Sequence, residues 1–236
     1  MYIFKRFKRS LIALTIICIV AGVGFVHKSV IKTSVSPVKF KTVIIDPGHG
    51  GFDGGASASD GTTEKDINLK ISLKIRDLLK FYGYNIVMTR TEDTGTEDDS
   101  NQSISTRKKS DLKNRLSLMQ NDGDTIYVSI HLNKFTTSAA SGAQVFYTPN
   151  FDEAQTLGDC IQKSIVNLLQ PENKRVVKKG GGTTYILKNA KVPAVIVECG
   201  FLSNGGDLMK LKNEEYQNSM AFSISAGIIK YYEITG

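Results

Sequence analysis

The chain is 236 residues long and 41% hydrophobic, with three cysteines and no tryptophan, which suits one or two ordinary globular domains and excludes a disulfide framework. Its formal charge of +7 sits at one end, because residues 1–41 hold eight of the 30 basic residues and none of the 23 acids, leaving 22 basic against 23 acidic side chains in residues 42–236. The body of the protein is therefore close to neutral, and the basic pI gives no ground for a nucleic-acid or other polyanion partner.

In chain order, residues 1–10 form a basic segment (Lys5, Arg6, Lys8, Arg9) of the kind that stays on the cytoplasmic side. Residues 11–26, Leu11 to Val26, are an uncharged apolar run of 16 residues, a membrane anchor or a signal segment. The run is just under the ~17–25 residues that span a bilayer, and Arg9 and Lys28 can snorkel to extend it. The exit, Ala21-Gly22-Val23-Gly24-Phe25, offers no small-x-small cleavage site, and Cys18 lacks the small preceding residue of a lipoprotein site. An uncleaved anchor is the preferred reading and a cleaved signal the alternative. Either one places the rest of the chain outside the cytoplasmic membrane. Residues 27–41 are a polar linker, in which His27 reads as solvated rather than as a ligand.

Residues 42–236 read as one domain. Apolar runs at 42–46, 84–89, 125–130, 143–148 and 193–197 predict strands. Ile67, Ile71, Ile75, Leu78 and Tyr82 recur at helical spacing, as do Leu157, Ile161, Ile165 and Leu168, and then Tyr216, Met220, Ile224 and Ile228. Leu112, Leu116 and Met119 predict a shorter helix. Thr91 to Thr106 lacks apolar periodicity and reads as a long surface loop. Strands interleaved with helices imply an α/β fold, a mostly parallel sheet with helices on both faces. The strand at 143–148 follows its predecessor without a clear helix, so it is expected to run antiparallel. Cys160 and Cys199 read as small buried hydrophobes rather than a bridge.

The segment Val43-Ile44-Ile45-Asp46-Pro47-Gly48-His49-Gly50-Gly51 puts a histidine in a glycine-rich turn after a buried strand, and Ile126 to Ile130 leads to a second histidine, His131. The turn lacks the third glycine of a dinucleotide fingerprint and any phosphate-loop lysine. Glu64 follows in Thr62-Thr63-Glu64-Lys65-Asp66, where Thr63 and Asp66 resemble a capping box. Glu64 could merely complement the helix dipole. In a right-handed strand–loop–helix unit, however, His49 and Glu64 bracket one loop at one sheet edge, the edge that His131 also reaches. Glu198 ends the strand Ala194 to Val197, where a buried acid needs a reason. The bland reason is an ion pair with Arg90 or Arg115. Alternation turns Cys199 to the other face. Two histidines and a glutamate with an open position are a ligand set for catalytic zinc, and the other glutamate would be the general base. Spacing alone does not decide which glutamate does which.

Four ordered blocks carry a family resemblance: Val43 to Ala56, Glu64 to Leu69, Ser129 to Asn133 and Val197 to Asn204. They resemble the zinc-dependent N-acetylmuramoyl-L-alanine amidases over residues 42 to 234. The resemblance implies a twisted, mostly parallel sheet, Zn2+ held by His49, Glu64 and His131, and Glu198 as catalytic acid/base. It implies peptidoglycan as substrate, cut at the amide between the lactyl group of muramic acid and L-alanine. Leu132 and Cys199 depart from the commoner family residues without touching a proposed ligand. Arg107 to Arg115, and the absence of appended wall-binding repeats, look like the germination-specific spore-cortex amidases, which prepare muramic acid for lactam formation. The resemblance thus places the domain in the cell wall or spore intermembrane space, and residues 11–26 leave it either membrane-anchored or exported. The alternatives are a vegetative amidase for cell separation, a silent peptidoglycan-binding scaffold, and a zinc peptidase cutting within the stem peptide. An activating partner protein is a further expectation, with the loops 91–106 and 171–182 as candidate contacts for substrate or partner.

Overall fold

The computed structural model describes residues 41–119, 124–181 and 184–235. The apolar segment 11–26 and its flanks at 1–10 and 27–40, His27 among them, lie outside the described residues. Among those described, no helix is long and apolar enough to cross a membrane.

Among the described residues, six strands form one sheet: β1 (Thr42–Pro47), β2 (Asn85–Met88), β3 (Thr125–Asn133), β4 (Gln144–Tyr147), β5 (Lys178–Lys179) and β6 (Ala194–Phe201). Their order is β2-β1-β3-β6-β4-β5. The contacts β1–β2, β1–β3, β3–β6 and β4–β5 are parallel, and β4 runs antiparallel to β6 as its short connection required. Six helices among the described residues accompany the sheet: α1 (Glu64–Phe81), α2 (Ile104–Ser117), α3 (Glu153–Leu168), α4 (Tyr185–Asn189), α5 (Gly205–Lys212) and α6 (Glu214–Thr235).

The side-chain period of two along each strand divides the core in two. Val43, Ile45, Val128, Ile130, Val145, Val195 and Val197 face one layer, where α1, α3 and α6 bring Ile71, Ile75, Ile161, Ile165, Ile224 and Ile228 against them. Ile44, Tyr127, Ala194 and Ile196 face the other, covered only by the shorter α2 and α4 through Leu116, Ile186 and Leu187. The strands are hydrophobic on both faces where both are covered. They become polar toward their carboxyl ends on the α2/α4 side, where the cover stops.

Several expectations need adjusting. The strands carrying His131 and Glu198 do not end there, since β3 continues to Asn133 and β6 to Phe201. Alternation explains the extension, because Leu132 and Cys199 are still core residues on the other face. The loop predicted for 91–106 ends early, because α2 starts at Ile104 with Ser103 capping it through a bond from the Thr106 amide. The capping box at α1 does not form. Thr63 makes no side-chain bond to the helix amides and instead donates its hydroxyl to the Asp66 carboxylate. Cys160 and Cys199 are both free thiols.

Candidate metal centre

The site is built first by the turn after β1. His49 adopts φ 62°, in the left-handed region that few residues other than glycine occupy. Two arginines hold this strained turn. Arg90 donates to the carbonyls of Pro47 (3.0 Å) and Gly48 (3.1 Å), and Arg115 donates to those of Pro47 (2.9 Å) and His49 (2.8 Å). Strain of this kind persists only where the surroundings over-determine it. Two glycines then make room for the side chains. A Cβ on Gly48 would collide with the His131 imidazole, and one on Gly55, at φ 68°, with His49 and Glu64.

Glu64 comes from the first turn of α1 and is 3% exposed. Its Oε1 faces His131 Nδ1 at 2.9 Å and accepts from the Leu132 amide at 3.0 Å. Its Oε2 faces His49 Nε2 at 3.2 Å and accepts from the Ala56 amide at 2.8 Å. The helix-dipole reading of Glu64 therefore falls short, because a carboxylate serving only the dipole has no need to be buried between two imidazoles. One donor atom from each of His49, Glu64 and His131 falls within 4.8 Å of the others, so this group could hold a metal ion. Asp53, one turn on, takes the far side of His49, with Oδ2 to Nδ1 at 2.9 Å, and its other oxygen meets Lys108 Nζ at 2.9 Å. That contact leaves Nε2 as the nitrogen free to face Glu64. A carboxylate behind a ligating histidine is the usual means of fixing ring and tautomer.

Burial opposes charge on His49, but its hydrogen bonds to Asp53 and Glu64 outweigh it and push the imidazolium pKa up to about 9. Burial likewise works against ionised Glu64, yet the two histidines hold its carboxyl well below the usual range. The pocket thus stabilises positive charge between an anionic glutamate and two nitrogen donors, which is the chemistry a divalent cation requires.

Glu198 stands apart. It lies opposite His131 in the β3–β6 register and on the same face. Its Oε2 is shielded from water and has no hydrogen-bond partner among the described residues. Burial raises its pKa to about 7; the His131 charge opposes this, Glu64 adds to it, and His49 opposes it again. The ion pair weighed from sequence does not occur. Arg90 spends its donors on backbone carbonyls, and Arg115 pairs with Asp46 and Asp111. An unpaired carboxyl with a pKa near neutrality, beside a candidate cation site, is equipped to exchange protons.

The structure thus brings the four sequence-predicted residues to one edge of the sheet, on the face that α2 and α4 leave open. A cavity of about 180 Å³ opens there, lined by His49, Asp53, Lys108, Leu112, His131 and Ile186 among others. Sequence reasoning gave Asp53 no role beside His49, because the turn that brings the two together is closed by the Gly50–Asp53 bridge rather than by a helix with a readable spacing. It also passed over Asp46, the actual partner of Arg115, which looked like one more residue in an apolar run.

A family model described as N-acetylmuramoyl-L-alanine amidase matches residues 43–230. The chain is 34% identical over 200 residues to the germination-specific N-acetylmuramoyl-L-alanine amidase of Bacillus subtilis, an alignment covering 85% of this chain and 83% of that protein. Among solved structures it resembles the CwlD amidase of Clostridioides difficile, determined in complex with the GerS lipoprotein, with TM-score 0.78 and 39% identity over 82% of this chain and 99% of that one. An N-acetylmuramoyl-L-alanine amidase from Clostridium difficile 630 superposes with TM-score 0.71 and 31% identity, covering 84% of this chain and 99% of the other.

Proposed function

The chain belongs to the N-acetylmuramoyl-L-alanine amidase family, and from that premise we propose that its metal is zinc, held by His49, Glu64 and His131, with Glu198 as acid and base. The observation that carries this reading is the unpartnered Glu198 Oε2 beside three converging donor atoms. When bound there, zinc would polarise the carbonyl of the scissile amide and acidify water toward a pKa of ~7.

The chain's own residues account for the proton. Glu198, with a pKa of about 7, is ionised in a useful fraction at neutral pH and takes a proton from the attacking water. As the new C–O bond forms at the lactyl carbonyl and the C–N bond breaks, Glu198 hands that proton to the departing nitrogen of L-alanine. The products are a lactyl carboxylate and a peptide with a free alanine amino group. Asp53 keeps the His49 ring in place, and the Arg90 and Arg115 contacts keep its strained turn from relaxing.

The germination-specific relative supports a role in spore cortex, where removal of stem peptides precedes lactam formation on muramic acid. The GerS lipoprotein bound to the Clostridioides difficile relative supports a protein partner of that kind for this chain. Residues 11–26 would anchor the enzyme outside the cytoplasmic membrane, and residues 42–236 would be its catalytic domain. The purified protein should release peptides with new N-terminal L-alanine from peptidoglycan, and chelation should stop the release. Cleavage within the stem peptide, seen by mass spectrometry, would replace the amidase reading with a peptidase. Unchanged cortex muramic-lactam in a deletion strain would leave the vegetative role.

A further inference from the structure

The register lays a row of side chains across the open face. His131 in β3 stands opposite Glu198 in β6, and Glu198 stands opposite Gln144 in β4. Gln144 is buried, and its Oε1 accepts from Arg175 Nη1 at 2.9 Å while its Nε2 donates to the Val176 carbonyl at 2.7 Å. Arg175 also donates through Nε to the Ser141 carbonyl at 2.8 Å, and its guanidinium lies 4.8 Å from the centre of the buried Phe201 ring. The row therefore ends in a half-buried cation fixed at three points. Among the described residues, no acid pairs with this guanidinium and its Nη2 has no partner. Nor does Arg175 neutralise Glu198, whose charge is governed by burial, the two histidines and Glu64.

A guanidinium held this firmly, with Nε and Nη1 engaged and Nη2 left to donate, suits a carboxylate oxygen, because little further side-chain freedom is lost on binding. We propose that Arg175 is a specificity-determining residue that reads a free carboxylate on the stem peptide, one residue beyond the alanine whose amide is cut. This rests on the amidase reading above. The dimensions agree with it. Neighbouring strands lie about 4.8 Å apart, so Gln144 is roughly 10 Å across the sheet from His131, and the guanidinium lies next to it. An extended peptide advances about 3.3–3.6 Å per residue, so a carboxylate borne by the residue after alanine reaches about 7–10 Å from the scissile amide. The substrate would lie across the strands, with its sugar toward His49 and its peptide toward β4.

The test uses two disaccharide-linked stem peptides that differ only at the second residue, one with a free carboxylate and one with the corresponding carboxamide. The full chain, loaded with zinc, should cut the acid form with a kcat/KM about 10- to 100-fold higher than the amide form, carried mainly in KM. Arg175→Gln should bring that ratio close to one. Gln144→Leu, which keeps the cation but removes its anchor, should lower the ratio several-fold and gives a second reading should the first variant fail to fold. A ratio that stays at the wild-type value in both variants overturns the role of Arg175 and leaves the amidase reading intact. Failure of the wild-type protein to cut either substrate overturns the amidase reading and this inference with it.

Discussion

Asp46 and Glu198 face the same side of the sheet, one strand to either side of β3, and their environments are opposite. Asp46, 1% exposed, accepts from Thr89 Oγ1 at 2.7 Å and Ser129 Oγ at 2.6 Å and is paired with Arg115. Burial works against its charge, but Arg115, Ser129 and Thr89 hold its carboxyl well below the usual carboxylate range. Glu198 has an oxygen with no partner among the described residues and a pKa raised to about 7. The fold satisfies the carboxylate it uses as a strut and leaves unsatisfied the one we propose as the acid and base. Arg115 supports the distinction physically, because the guanidinium that neutralises Asp46 also grips the carbonyl of His49.

The contrast can be broken from either side. The largest expected effect is on the rate. Glu198→Gln should lower kcat/KM by about 10²- to 10⁴-fold, the range typical for loss of a general acid–base group, measured by alanine-terminated peptide release. In wild-type enzyme the acid limb of kcat/KM should lie at or below pH 7, with activity rising as Glu198 ionises, since bound cation can only lower its pKa further. Next is stability. Arg115→Met leaves the Asp46 charge buried without its partner and should cost about 3–5 kcal/mol in denaturant unfolding. The same exchange should also weaken metal binding, because His49 loses its backbone anchor.

Smaller effects sharpen the comparison. Asp53→Asn should reduce zinc affinity by about 10- to 100-fold, read by competition with a chromogenic chelator. In wild-type protein that affinity should rise by about tenfold per pH unit below pH 9, because zinc must displace the proton that His49 holds up to there. Least is the stability change at Glu198. Its carboxyl has a pKa of about 7 in the fold against an ordinary 4.5, so the native state binds the proton more tightly. The metal-free fold therefore loses stability as pH rises from 4.5 through 7, and Glu198→Gln should recover about 1–3 kcal/mol at pH 8. A melting temperature for Glu198→Gln below that of wild type at pH 8 would show that Glu198 is satisfied after all.

The parts legible in the sequence were those with a strong period. The five main strands, the helices α1, α3 and α6, and the antiparallel β4 all follow from spacing and connection length. What alternation hid was where strands stop, since His131 and Glu198 sit mid-strand with Leu132 and Cys199 continuing the buried face. The short helices α4 and α5, five and eight residues long, have too few turns to show a period. The site was legible because a histidine or an acid is uncommon in an apolar, β-branched run, and His131 and Glu198 each interrupt or close one. The partners were not. Arg115 could have reached Glu198 or Asp46 by its position alone, and only the packing of α2 over β1 decides for Asp46.

The most direct measurement pairs zinc content with turnover in wild type and Glu198→Gln. One zinc per chain should be retained by both proteins, while only wild type releases alanine-terminated peptides at an appreciable rate. A Glu198→Gln protein that loses its zinc along with its activity would make Glu198 a ligand, and one that keeps wild-type turnover would remove it from the reaction.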